Sequence, residues 1–357
     1  MSTFRAFRPA AVAVLGVAAL VASSAPASAA PNDPLYGQQY GPQQVHAEQA
    51  WATSTGAGTV IAVVDSGVDL GHEDLAGKLV PGATFIGCNP SCGNGDWRGP
   101  DGVGQPADAH GTHVSGIAAA ATGNGIGIAG VARDAKIMPI KALEDGSGAF
   151  EDIAAGIRYA ADNGADVVNL SIGATQGFQA LVLTGVLTDV QDAIVYAKSQ
   201  GVAVIAAAGN DSVPLCNTPG FDEGAMCVVS TDKRELRSAF SSGPIRPDLN
   251  TVSAPGGSLL PVCGEDVVST VPAGTSSSGA TCGYGNNYDE YAGTSMASPH
   301  VAGVAALLAA QGRSVDNIYA TLTATARTPG ADARGVFTPA YGYGIVDAAA
   351  AVAAPVG

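Results

Sequence analysis

The middle of the chain alternates short runs rich in valine and isoleucine with segments that have the spacing of helices. The strand-like runs are TVIAVVD (59–65), AKIMPIKAL (135–143), ADVVNLS (165–171) and VAVIAAAG (202–209). The helix-like segments between them are 110–121, 149–164 and 187–201, and the last two end in glycine. This alternation predicts an α/β fold of three layers, in which helices cover both faces of a mostly parallel sheet.

The rest of the chain extends this arrangement without a second domain. Two further runs, 227–231 and 249–256, predict additional strands, and the tail 338–354 predicts a turn, a short strand and a final helix. We find no internal repeat and no long linker. We therefore expect residues 51–357 to form one domain, with residues 30–50 as an N-terminal arm that belongs to it.

The first 29 residues have the pattern of a secretory signal peptide. Two arginines precede an apolar run over residues 10–22, and the small residues Ala27-Ser28-Ala29 fit cleavage after Ala29. The run is too short to span a bilayer. We expect a secreted, extracellular protein with no membrane attachment after cleavage, and no folding propeptide between Ala29 and Trp51.

The net charge and the cysteine content indicate which ligands and cross-links the protein can have. The chain is 46% apolar and 13% charged, and its formal net charge is −15 at pH 7. An acidic surface repels nucleic acid and attracts divalent cations. Six cysteines in an oxidising setting favour disulfides, although half a zinc site at the first pair is the alternative. Close spacing suggests the pairs Cys88–Cys92, Cys216–Cys227 and Cys263–Cys282.

Four polar residues stand where an α/β sheet usually carries its chemistry. Asp65 closes a strand-like run and Asn210 follows another, and working residues collect at such carboxyl ends. His110 begins an apolar helix, whose positive end helps to keep the imidazole neutral. Ser295 begins a second apolar helix, so its alternative role is an N-cap. We interpret His113, one turn after His110, as a packed structural histidine rather than a metal ligand.

Four sequence segments together resemble the subtilase (subtilisin-like) family of serine peptidases. They are VVDSGVDLGHEDL, HGTHVSGI, AAAGN and GTSMASPHVAG, in that order. The order Asp, His, Ser is also that of subtilisin and differs from that of α/β-hydrolases. The segments NDPLYGQQYGPQQVHAEQAW and LAAQGRSVDNI are most similar to the thermitase branch. The resemblance implies a subtilisin-like three-layer fold.

The resemblance also implies an activity and a role for each of the four residues. Ser295 is the expected nucleophile, His110 the general base and then acid, and Asp65 the group that orients His110. The side-chain amide of Asn210 and the backbone N–H of Ser295 are expected to hold the oxyanion. The implied function is a serine endopeptidase that hydrolyses proteins through an acyl-enzyme intermediate.

Substrate binding is expected to use the backbone of the enzyme. The resemblance implies that an extended substrate pairs with Ser171, Ile172 and Gly173, while Gly209 lies in the wall of the pocket for the residue before the cut bond. Backbone pairing is indifferent to side chains. We therefore expect broad specificity, with an apolar preference because the pocket residues are small.

Calcium is the cofactor that the resemblance implies, in a structural role. Oxygen atoms are the ligands that this ion prefers. The expected ligands are the side chains of Asp33, Asp74 and Asn124 and the backbone oxygens of Ala121, Ile126 and Ile128. A second, weaker site is expected in the loop that contains Asp96, Asp101 and Gln105.

Two alternative functions stay open at the level of the sequence. One is a catalytically inactive subtilase that acts as a scaffold, and the other is an esterase or peptide ligase on the same fold. The presence of all four expected catalytic groups favours the endopeptidase. We expect a monomer whose partners are polypeptide substrates.

Overall fold

The structure, a computed structural model, describes residue 1 and residues 30–86, 109–174, 178–185, 188–244 and 246–356. Residues 2–29 of the expected signal peptide, the pair Cys88–Cys92 and the second calcium site lie outside these residues.

Strands and helices alternate along the described chain. The strands are β1 (Val60–Asp65), β2 (Ala83–Thr84), β3 (Lys136–Lys141), β4 (Val167–Leu170), β5 (Ala203–Ala207), β6 (Ala225–Thr231), β7 (Thr251–Pro255), β8 (Val267–Thr270) and β9 (Tyr288–Tyr291). The helices are α1 (Tyr40–Gln44), α2 (Ala47–Ala50), α3 (His110–Ala119), α4 (Phe150–Asp162), α5 (Phe178–Leu183), α6 (Asp189–Ser199), α7 (Gly279–Cys282), α8 (Thr294–Ala309), α9 (Val315–Thr325) and α10 (Ala348–Ala353). Single 3₁₀ turns lie at Tyr36–Gln38 and Glu73–Leu75.

Among the described residues, seven strands form a parallel sheet in the order β2-β3-β1-β4-β5-β6-β7. Side chains alternate across such a sheet. Ile61 and Val63 of β1 therefore pack with α3 and α8, whereas Ala62 and Val64 pack on the opposite face with α4 and α6. Both faces are buried, which explains the continuous apolar runs. The three-layer α/β fold expected from the sequence is confirmed.

The remaining strands were not all expected. Strands β8 and β9 form an antiparallel pair apart from the large sheet, and the sequence analysis did not predict it. The short strand predicted in the tail is wrong, because Ile345 makes only isolated bridges, to Ser253 and to Arg327. Helix α10 follows as predicted.

The order of the strands brings distant segments together. β1, β4 and β5 are neighbours, so their carboxyl ends share one edge of the sheet. Helix α8 packs beneath β4, β5, β6 and β7 and begins at the same edge. In the described parts of the chain, no helix has both the length and the apolar character needed to cross a bilayer.

Candidate active site

Asp65 and His110 form a hydrogen-bonded pair at the shared edge of the sheet. Nδ1 of His110 lies 2.8 Å from Oδ1 of Asp65. The aspartate side chain is 1% exposed and the histidine side chain 30%. Helix α3 approaches the turn after β1 closely, since a Cβ on Gly111 would lie 2.2 Å from the backbone oxygen of Gly67. Glycine at position 111 therefore allows the pair to form.

Ser295, the second residue of α8, faces the same cavity as this pair. The cavity has a volume of about 560 Å³, and Asp65, His110 and Ser295 all line it. The Ser295 hydroxyl donates a hydrogen bond of 3.1 Å to the backbone oxygen of Ser171. The structure thus brings together the three residues that the sequence analysis predicted as a triad.

Asn210 lies beside Ser295 with its amide held in one orientation. Its Oδ1 accepts hydrogen bonds from the backbone N–H of Thr294, at 2.9 Å, and from the Thr294 hydroxyl, at 3.0 Å. The Thr294 hydroxyl also accepts from the N–H of Gly209, at 3.1 Å. Because the oxygen is held toward Thr294, the N–H₂ group of the amide is directed away from Thr294. Sequence reasoning missed this role of Thr294, although the residue directly precedes Ser295.

The expected substrate edge follows β4. Ile172 and Gly173 line the large cavity together with Ser171, and they also line a second cavity of about 190 Å³ beside Asn210 and Ser295. The N–H of Ala174, the next residue, donates to the backbone oxygen of Thr218 at 2.8 Å. This bond holds the segment against the loop that follows β5.

The smaller cavity is more polar than the sequence suggested. Asn217 and Asp211 line it, and the Asn217 amide donates to the Asp211 carboxylate at 2.6 Å. Gly209 has φ +96°, and a Cβ there would lie 2.4 Å from Nδ2 of Asn217. Glycine at position 209 therefore allows Asn217 to form the wall. Sequence reasoning did not identify Asp211.

His113 is a packed histidine, as we interpreted it. It is fully buried, its Nε2 lies 3.2 Å from the backbone oxygen of Asp289, and its ring stacks on Tyr291 at 4.4 Å between centroids. Burial, together with the nearby His110, lowers the pKa of His113 to about 3. It is therefore neutral at physiological pH.

The residues expected to bind calcium lie together around the loop that follows the C-terminal end of α3. Asp33 accepts from the N–H of Gly123, at 2.8 Å, and Asp74 accepts from the N–H of Ile128, at 2.8 Å, and from the Asn124 amide, at 2.9 Å. Asp74 is fully buried. Burial raises its pKa to about 7, and the charges of Asp33 and Glu73 add to the effect.

This donor set fits a hard cation. Two buried carboxylates, one from the arm and one from the turn Glu73–Leu75, face the same loop, and a cation between them would compensate their charge. The backbone of the loop is already bent around them, because Ala121 donates its N–H to the backbone oxygen of Asp74 at 2.8 Å and Ile126 donates to Oδ1 of Asn124 at 2.8 Å. Since the Asn124 amide directs its nitrogen to Asp74, binding a cation through its oxygen requires the amide to turn over.

Two disulfides are present in the described residues, Cys216–Cys227 and Cys263–Cys282. Both are pairs that close spacing suggested. Glu290 lies near Cys263 and Cys282, but the disulfide removes the two thiolates that a metal ion would need.

Comparison with known proteins gives a consistent result. Residues 56–344 match the model of the subtilase family. Thermitase from Thermoactinomyces vulgaris is 42% identical over 300 residues, which cover 83% of this chain and 91% of that protein. A halolysin-like extracellular serine protease from Natrialba magadii is 38% identical over 329 residues, covering 90% of this chain and 52% of the relative.

Solved structures agree with these sequence matches. A structure described as proteases from Pseudoalteromonas arctica superposes with a TM-score of 0.75 at 34% identity, covering 91% of this chain and 99% of that one. The match therefore extends over the sheet, the helices around it and the edge that carries Asp65, His110 and Ser295. The chain belongs to the subtilase family, in its thermitase branch, and is a serine endopeptidase.

Proposed function

We propose that the protein is a secreted, calcium-stabilised endopeptidase that cuts peptide bonds through an acyl-enzyme on Ser295. One observation carries the proposal. The 2.8 Å hydrogen bond between His110 and the buried Asp65 lies on the same cavity as the Ser295 side chain.

This hydrogen bond decides which nitrogen of His110 acts as the base. A buried carboxylate at Nδ1 holds the proton there and leaves the lone pair of Nε2 for the proton of the Ser295 hydroxyl. The serine oxygen then bonds to the substrate carbonyl carbon, and the electrons of the C=O bond move to its oxygen. Asp65 remains ionised and stabilises the imidazolium.

The negative charge on that oxygen is held by two donors. Asn210 offers its side-chain N–H₂ group, and Ser295 offers a backbone N–H in the first turn of α8, where a helix has no internal acceptor. His110 returns its proton to the leaving amine, and water, activated in the same way, releases the acid product from Ser295.

The substrate is a polypeptide bound in extended form along Ser171, Ile172 and Gly173, with Gly209 in the pocket wall. Support for an apolar preference comes from the large cavity beside this edge. Its apolar lining includes Leu143, Phe150, Ile153, Ile172 and Val190. The carboxylate of Asp211 in the smaller cavity adds tolerance for a long side chain with a positive end.

Calcium is proposed as a structural ion held by Asp33, Asp74, Asn124 and the backbone oxygens of Ala121, Ile126 and Ile128. Bound there, the ion supplies positive charge to two buried carboxylates. Asp33 belongs to the arm 30–50 and Asp74 to the body, so the ion would clamp one to the other. We propose that the arm and residues 51–357 form one domain.

Secretion is proposed from the leader pattern and from the relatives. The Natrialba magadii relative is named extracellular, and residues 1–29 have the pattern of a signal peptide. Sequencing the N-terminus of protein from the culture medium tests this. We expect it to begin at Ala30.

A serine-directed fluorophosphonate tests the mechanism. Peptide mapping is expected to locate the adduct on Ser295, and casein hydrolysis is expected to be lost in Ser295→Ala. An adduct on another residue, or undiminished hydrolysis by the variant, contradicts the mechanism. Esterase or ligase activity as the main function predicts ester turnover or peptide transfer without amide hydrolysis on matched substrates. An inactive scaffold predicts no adduct.

A further inference from the structure

Helix α8 lacks one internal hydrogen bond next to the nucleophile. Pro299 lies four residues after Ser295 and has no backbone N–H, so the Ser295 carbonyl cannot accept the usual helical bond. The hydroxyl of Ser171 takes this position instead and donates to the Ser295 carbonyl at 2.7 Å. A side chain from the edge of the sheet thus replaces the missing bond.

The Ser171 hydroxyl is directed by a second side chain. Asn169 of β4 donates from Nδ2 to the Ser171 oxygen at 2.9 Å, which leaves the hydroxyl proton for Ser295. Oδ1 of Asn169 accepts from the hydroxyl of Ser298 at 2.7 Å. The two partners therefore fix which way the Asn169 amide faces.

The bonds from Ser298 to Asn169, from Asn169 to Ser171 and from Ser171 to the Ser295 carbonyl form a continuous chain. We call the side chains of Ser298, Asn169 and Ser171 the serine relay. The relay begins on α8, passes through the end of β4 and returns to α8 at Ser295. Asn169 and Ser298 are fully buried, and Ser171 is 3% exposed. Hydrogen bonds in such a dry chain polarise one another, and each missing partner leaves a costly buried group.

We propose that the members of the serine relay are positioning residues for the nucleophile. The inference rests on the proposed role of Ser295. Ser171 and Ser295 are bonded twice, since each hydroxyl donates to the backbone oxygen of the other. The relay therefore fixes the Ser295 backbone, with its oxyanion-binding N–H, relative to the edge where the substrate lies. Small displacements between reacting groups cost large factors in rate.

Single substitutions give the first test, with a matched control on the same helix. Ser54 also donates a buried 2.7 Å hydrogen bond to a carbonyl of α8, that of Leu307, far from the site. Ser298→Ala and Ser171→Ala are expected to lower kcat on a peptide substrate about tenfold, because a displaced Ser295 loses transition-state stabilisation of about the size of one hydrogen bond. Ser54→Ala is expected to lower Tm about as much as Ser298→Ala and Ser171→Ala do, but to leave kcat unchanged.

A rescue variant separates positioning from general stability. Pro299→Ala supplies a backbone N–H that can bond to the Ser295 carbonyl in place of Ser171. The double variant Ser171→Ala/Pro299→Ala is therefore expected to recover part of the kcat that Ser171→Ala loses. The relay has no role in positioning if the effects of Ser171→Ala and Pro299→Ala on kcat simply add in the double variant. The same conclusion follows if Ser298→Ala lowers Tm but not kcat.

Fluorophosphonate labelling of the same variants distinguishes the two proposals. A wild-type adduct on a residue other than Ser295 contradicts the proposed function, and the relay's role with it. An adduct on Ser295 that forms equally fast in Ser298→Ala, Ser171→Ala and the wild type contradicts the relay alone. The expected result is an adduct on Ser295 that forms about tenfold more slowly in both variants.

Discussion

At the scale of single residues, the direction of one amide is set by its neighbour. Asn210 and Thr294 are linked by two hydrogen bonds to the same oxygen, which leaves the Asn210 nitrogen for the oxyanion that we propose it binds. Donors fixed before the reaction need no reorganisation during it. We therefore expect Thr294 to act through Asn210, without a direct bond to the substrate.

Substitution of Thr294 by valine tests this arrangement. Valine keeps the shape and the backbone N–H but removes the hydroxyl, so we expect kcat to fall about tenfold with little change in KM. Asn210→Ala is expected to lower kcat by about 10²–10³, as for the loss of one oxyanion donor. In steady-state assays the double variant should be no slower than Asn210→Ala. A further loss would show that Thr294 acts independently.

A buried acid beside the pocket predicts a pH effect on stability. Burial raises the pKa of Asp222 to about 6, and the Thr218 hydroxyl, which donates to one of its oxygens at 3.0 Å, only partly opposes this. The fold prefers the protonated acid, so the stabilising contribution is complete below about pH 4 and is lost as the pH rises through 6.

Asp222→Asn, which cannot ionise, isolates this contribution. Above pH 6 we expect its free energy of unfolding to exceed that of the wild type by about 2–3 kcal/mol. The two proteins should converge below pH 4. Denaturant titrations at pH 4 and pH 8 measure the difference, and an equal difference at both values would contradict the assignment.

At the scale of elements, the loop between β5 and β6 shapes the smaller cavity. The disulfide Cys216–Cys227 ties the middle of this loop to β6, and Asn217 directly follows Cys216. Asn217 in turn contacts Asp211 and lies against Gly209. The position of the pocket wall therefore depends on a covalent link to the sheet.

Removal of this disulfide is expected to affect binding more than chemistry. Cys216→Ala/Cys227→Ala should raise KM several-fold, with kcat nearly unchanged, and lower the free energy of unfolding by about 2–3 kcal/mol. Cys263→Ala/Cys282→Ala is the matched control, because it removes the second disulfide of the described residues and should lower stability without the change in KM. Equal KM values for the two double variants would contradict a role for the pocket wall.

The elements with the clearest sequence signal were those buried on both faces. β1, β3, β4 and β5 are mostly apolar runs, so their existence followed from composition. The helices between them followed from periodicity, and for α4 and α6 also from a final glycine. β2 has two residues, and β8 and β9 mix polar with apolar side chains, so none of these has a distinctive pattern.

The candidate site was predictable only in part, for a physical reason. Asp65, His110, Asn210 and Ser295 stand at element ends within recognisable segments. The bond between Ser298 and Asn169 joins residues 129 positions apart, and neither carries a local signal. Such contacts depend on the order of the strands, which periodicity does not determine.

At the scale of the whole molecule, the arm and the body meet around the proposed calcium site. The arm already bonds to the same loop, since Leu35 donates its N–H to the oxygen of Gly127 at 2.8 Å and the Gln39 amide donates to that of Ala129 at 3.1 Å. An ion between Asp33 and Asp74 would add its binding free energy to these contacts.

Removal of calcium is therefore expected to destabilise the protein and to loosen the arm. If calcium is present at a thousand times its Kd, a chelator should remove about 4 kcal/mol of stability. Asp74→Asn should lose most of this response, whereas Asp222→Asn, a control at another buried acid, should keep it. Melting curves with and without chelator measure the effect, and an unchanged response in Asp74→Asn would contradict the assigned ligands.

The order of the strands also determines when, during synthesis and folding, the residues of the candidate site come together. Asp65, His110, Asn210 and Ser295 meet at one edge only because β1, β4 and β5 are neighbours and α8 begins beside them. A nascent chain that has not reached residue 295 lacks the proposed nucleophile, and a chain in which these strands have not yet paired keeps the four residues apart. Under the proposed mechanism, we therefore expect peptide hydrolysis only after the sheet has formed and α8 has packed against it.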